Sequence, residues 1–100
     1  MNPSICKKQP WDERQLEFDV SNALATGDTL SSSLTPVVEV LLGDVVQAGM
    51  VSGTVAKQGN KVYAKVVGGT NRVDYIVRVR VTTTNGDKIE DEIIMQVRDT

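Results

Sequence analysis

The chain has 100 residues, 40% of them hydrophobic and only 4% aromatic, and a net charge of −2 with acidic and basic residues interleaved. That length supports one domain with a single core, and the charge pattern, with no basic stripe or polybasic amphipathic segment, argues against nucleic acid or a membrane surface as partner. One cysteine and no histidine rule out an internal disulfide, a zinc site of the cysteine or histidine kind and the usual general base.

Valine and threonine are common and long helix-forming runs are missing, which favours an all-β fold. The longest apolar runs are too short to span a bilayer, and the first residues, MNPSICKKQPW, lack an apolar signal region, so synthesis in a cytoplasm is expected.

Residues 1–10 read as a flexible N-terminal tail, with Pro3 and Pro10 and no periodicity, ahead of a single domain over residues 11–100. Cys6 lies in that tail and reads as an incidental thiol. Trp11, beside the charged run Asp12-Glu13-Arg14, is either a flap closing the end of the core, the preferred reading, or an anchor exposed for a partner.

Residues 15–20 alternate, with Leu16, Phe18 and Val20 on one face, and predict a first strand. A single helical turn capped by Ser21 follows, with Leu24 tucked under the sandwich and Gly27-Asp28 ending the turn. Residues 29–35 predict a narrow strand with Leu30, Ser32 and Leu34 inward, and Pro36 belongs at a strand start or edge. Residues 37–42 predict a strand whose apolar run suggests burial on both faces or against a neighbour. Residues 43–59 read as short β fragments cut by Gly49, Gly53 and Gly59. Residues 61–67 alternate clearly, with Val62, Ala64 and Val66 on one face.

The strongest local pattern is the closing stretch, DYIVRVRVTTTNGDKIEDEIIMQVR. It holds two alternating arms around Asn85-Gly86, a strong hairpin signal. A strict two-residue loop would set Val79 and Val81 opposite Glu92 and Glu90. A three-residue loop, Thr84-Asn85-Gly86 with Gly86 left-handed, instead pairs Val81 with Ile89, Val77 with Ile93 and Tyr75 with Met95. It also sets Arg80 opposite Glu90 and Arg78 opposite Glu92, so both faces match. Asp91 then falls on the apolar face opposite Val79, which a bulge, a sandwich edge or an interface would explain.

About seven short strands with glycine or proline punctuation fit an immunoglobulin-like or fibronectin type III-like Greek-key β-sandwich. Tyr75 stands where such sandwiches place a tyrosine corner, its hydroxyl bonded to backbone around residues 70–73. The missing Cys…Trp…Cys framework excludes an antibody-type domain.

Nothing in the residues assembles into catalytic or cofactor chemistry. Neighbours in Glu90-Asp91-Glu92 point to opposite faces of a strand, and pairing with Arg78 and Arg80 explains them. Asp28, Asp44, Asp74 and Asp87 each accompany a turn, and no calcium loop is present. Gly68-Gly69-Thr70 and Ser52-Gly53-Thr54 lack the helix-opening lysine of a phosphate loop and read as turns.

Several stretches taken together resemble a known family. They are Glu17-Phe18-Asp19-Val20-Ser21 with Leu24 and Thr26-Gly27-Asp28-Thr29-Leu30, then Val67-Gly68-Gly69-Thr70, Asp74-Tyr75, and Val81-Thr82-Thr83-Thr84-Asn85-Gly86-Asp87. Over residues 9–99 the chain resembles the bacteriophage and prophage fibre–tail adaptor proteins. It departs from their pattern at Asn71-Arg72-Val73, where a glycine is common. The resemblance implies a non-enzymatic virion protein made in the bacterial host cytoplasm, without cofactor or metal. Its partners would be other phage tail, fibre or head-completion components, with a homo-oligomeric ring on assembly. An immunoglobulin-like binding module of a bacterial surface or secreted protein is the alternative.

Overall fold

The closing hairpin sets the geometry of the computed structural model, which describes residues 4–31 and 34–99. Strands β7 (Val73–Thr82) and β8 (Lys88–Val97) pair antiparallel over ten residues. Tyr75 faces Met95, Val77 faces Ile93, Val81 faces Ile89, Arg80 faces Glu90 and Arg78 faces Glu92. This is the register of the three-residue loop. The Thr83 N–H donates to the Asp87 carbonyl at 2.8 Å, and the Gly86 N–H donates to the Thr83 carbonyl at 3.0 Å. Gly86 takes a φ of 92°, a conformation glycine adopts without steric cost.

The hairpin lies within a five-stranded sheet. Strand β1 (Ser4–Lys8) runs parallel along β8, and β3 (Val37–Leu42) runs antiparallel to β7. The two-residue β4 (Val45–Val46) forms the edge beyond β3. Against it packs a three-stranded sheet ordered β2 (Arg14–Asp19), β6 (Lys61–Val66), β5 (Val51–Gln58). Leu16, Phe18, Val62, Ala64 and Val66 from the smaller sheet meet Val38, Val40, Tyr75, Val77, Val79, Val81, Met95 and Val97 from the larger. The period-two alternation of β2, β6 and β7 puts these side chains on the facing surfaces, where removal of apolar area from water drives the packing. The protein is thus an all-β, two-sheet sandwich.

Several expectations are corrected. There are eight strands among the described residues rather than about seven, because the expected tail contributes β1. Its residues Cys6 and Lys8 lie opposite Met95 and Val97, so the N-terminus is held by a sheet partner 89 residues away in sequence that no local pattern announces. Among the described residues of 29–35 there is no strand: Leu30 is buried and bridges to Thr83, Leu34 is half exposed, and Ser32 lies outside the described residues. The apolar run of β3 is buried on both faces only in its middle, through Val38 and Val40 inward and Leu41 outward, while its end residues Val37 and Leu42 are exposed. Fragments expected over 50–58 join into one strand, β5, whose register shifts between Ser52 and Ala56, where Gly53 has a φ of 73°. Ser21 opens the 3-10 turn Ser21–Ala23 without capping it, and its amide and hydroxyl bond Asp19 instead.

Met95 is fully buried where the two sheets meet. Truncating it in Met95→Ala is expected to lower unfolding free energy by about 2–5 kcal/mol, measured by denaturant titration. Exposed Thr54→Ala is the control, expected to stay within about 0.5 kcal/mol.

Candidate functional site: the Trp11 loop and the outer sheet face

β1 and β2 belong to different sheets, so residues 9–13 must cross one end of the sandwich. Lys8 decides how they cross. Its side chain is 2% exposed, and it sits in register with fully buried Val97. Its Nζ donates to three backbone carbonyls, those of Gln9 at 2.8 Å, Pro10 at 3.3 Å and Asp12 at 2.7 Å. Two further bonds tighten the loop: the Asp12 N–H to the Gln9 carbonyl at 3.1 Å, and the Gln9 N–H to Asp12 Oδ2 at 3.2 Å. Burial pushes the Lys8 ammonium below its ordinary value, while the charge of Asp12 pulls it back.

The loop turns Trp11 outward, and the indole is 92% exposed. The flap reading is therefore overturned: Lys8, not Trp11, covers this end of the core beside Val97. Around Trp11 lies an open depression bordered by Pro10, Asp12, Glu13, Arg14 and Lys65. Its one ion pair, Lys65 to Glu13 at 3.6 Å, is exposed and contributes little.

The outward face of the five-stranded sheet carries the charges expected there, with Arg80 paired as expected and Arg78 paired differently. Arg80 Nε meets Glu90 Oε1 at 2.7 Å, and this contact raises the Arg80 pKa and lowers that of Glu90. Arg78 faces Glu92 in the ladder, but its guanidinium turns to Glu39 on β3 at 2.9 Å and to Glu90 at 3.6 Å. Glu39 is the register partner of Arg78 across the other side of β7, and a partner on a distant strand is invisible to hairpin reasoning. Asp91 does face Val79, without any shift of register. It lies in the part of β8 before the β1 ladder begins at Ser4↔Ile93, and its Oδ1 accepts the Glu92 N–H at 2.8 Å.

The same face holds a feature that the sequence reading missed. Ile5, Ile94, Ile76, Leu41 and Val46 are successive register partners, forming one aliphatic row across all five strands. Leu41 is only 5% exposed although it lies outside the core cluster, sheltered on the outer surface. Each residue sits on a different strand, so only the assembled register reveals the row.

At the opposite end from Trp11, buried Asp28 ties the hairpin turn to the preceding loop. Its Oδ1 accepts the amides of Thr29 at 2.9 Å and Asn85 at 3.2 Å. The Thr84 N–H donates to the Thr29 carbonyl, and the Ser31 N–H to that of Thr82. The Thr83 hydroxyl, followed by these two amides, holds the Asp28 carboxyl below its ordinary value. Tyr75 fixes another turn, its hydroxyl accepting the Thr70 N–H at 3.0 Å as the tyrosine-corner reading expected.

Among the described residues, no three histidine, cysteine or acidic side chains stand together as a metal-binding group, and no helix is long and apolar enough to cross a membrane. What the fold offers is surface: an exposed tryptophan on a braced loop and a patterned sheet face. That defines a small all-β sandwich domain. The chain belongs to the podophage GP4 fiber-tail adaptor protein gp77 family, whose family model matches residues 8–96. Comparison with curated proteins finds no match.

The Asp28 tie has a pH signature. Its carboxyl is lowered in the folded state, so the stability it confers is complete above the unfolded value, about 3.9, and disappears as pH falls through the folded value. Asp28→Asn is expected to unfold at lower temperature at pH 7 and to show a shallower further loss between pH 5 and about 2.5. Thermal melts across that range check it; parallel pH profiles for the two proteins would contradict it.

Proposed function

We propose that this chain is a structural component of a phage particle that joins tail and fibre parts, with Trp11 as a principal contact. The observation that carries the reading is the family match over residues 8–96 on a fold whose Trp11 stands 92% exposed. Tryptophan is among the residues most enriched at interface hot spots, and a large apolar side chain held in water gains most from being covered. The adaptor is non-enzymatic, is made in the bacterial host cytoplasm and binds tail, fibre or head-completion proteins, forming a homo-oligomeric ring on assembly. Ring closure requires two different surfaces on each copy, and a sandwich with patterned faces and open edges supplies several. Family membership favours this reading over a surface-protein binding module.

Binding to the purified tail and fibre proteins of the same phage, measured by calorimetry, tests the reading. Wild type is expected to associate with at least one of them, and Trp11→Ala is expected to weaken that association by about 30-fold or more. Failure of the wild type to associate with any of them would refute the adaptor role.

A further inference from the structure

Burying a lysine is expensive, because its ammonium leaves bulk water and must be repaid by hydrogen bonds of good geometry. Lys8 meets that condition with three carbonyls drawn from the loop that follows it. A leucine or methionine could fill the strand position beside Val97 without a charge to satisfy. What the ammonium adds is control of the shape of residues 9–12. Its acceptors lie immediately before Trp11 and immediately after it, so the tryptophan backbone is held from both sides. The Asp12 N–H and carboxylate close the same loop on Gln9.

We infer that Lys8 and these carbonyls form a clamp that presents Trp11 as a pre-organised docking anchor, fitting an apolar cleft on a partner protein that also offers an acceptor to the indole N–H. The inference rests on the adaptor reading and adds to it how the contact is made and what chemistry it meets. The partner's chemistry follows from the indole itself. It is a wide apolar body with a single donor and no acceptor, so a complementary cleft needs apolar walls and one carbonyl or carboxylate oxygen. Ordering a loop at the moment of association costs affinity, and a loop ordered beforehand avoids that cost. The clamp is a positioning device: Lys8 is buried and acts through the backbone, leaving the contact to Trp11.

Trp11 is the chain's one tryptophan, so its fluorescence reports this loop alone. Time-resolved anisotropy of the free protein is expected to show the indole turning with the whole domain. In Lys8→Met, a fast local rotation should appear while circular dichroism retains the β spectrum. Titrated with the purified tail and fibre proteins of the same phage, Lys8→Met is expected to bind about three- to tenfold more weakly than wild type. Should Lys8→Met fail to fold, Pro10→Gly loosens the same loop from the surface and carries the same expectations.

Fast local rotation in the wild type would overturn the clamp, and so would a freely rotating Lys8→Met that binds as tightly as wild type. Wild-type binding that Trp11→Ala retains would overturn the anchor and leave the adaptor reading standing. Absence of wild-type binding to any of these proteins would remove both. A concentration-dependent blue shift of the wild type alone would overturn the assignment to a different protein and make a second copy the occupant.

Discussion

Everything in this fold depends on the ten-pair ladder between β7 and β8. It supplies Tyr75, Val77, Val79, Val81, Met95 and Val97 to the core and gives β1 and β3 their templates on either side. A slip of one residue would turn every one of these side chains to the opposite face. The register is therefore fixed by hydrophobic matching inside and by the Arg80–Glu90 pair outside, and the left-handed Gly86 closes the loop that this register needs. Asp28 and Thr29 then fasten the turn to the rest of the chain.

The ladder also explains why the N-terminus is ordered. β8 has one side on β7, and the other side over residues 93–97 is taken by β1. That pairing carries Lys8 to the end of the sandwich, where its ammonium can only be satisfied by the loop that leads to β2. Trp11 is exposed as a consequence of where a buried lysine finds its hydrogen bonds. Sequence, sheet register and surface chemistry are in this way parts of one chain of causes.

Much of this was legible in the sequence. The closing hairpin could be read to the residue because both of its faces carry a pattern and only one register satisfies both. β2 and β6 were legible from clean alternation, and the Tyr75 corner from its place at the head of a strand. Most of the misses share a cause, which is that the deciding partner lies far away in sequence. β1 alternates Ile5 and Lys7 against Cys6 and Lys8, and a buried lysine on the inward side hides the period. Leu30 and Ser31 are held by the end of the hairpin, through Thr83 and Thr82, without any strand ladder of their own. Arg78 chooses Glu39 on β3 over the Glu92 that faces it across the hairpin. The Lys8 clamp uses backbone carbonyls, which every sequence has. The aliphatic row from Ile5 to Val46 exists only once five strands are aligned.

The central claim is that this adaptor-family domain works through a tryptophan kept in water until a partner covers it. Acrylamide quenching of Trp11 tests it most directly, comparing the free protein with its complex with the tail or fibre protein it binds. The account predicts strong quenching when free, and in the complex a blue-shifted emission with quenching largely lost. Emission and quenching that stay the same in a demonstrated complex would contradict it.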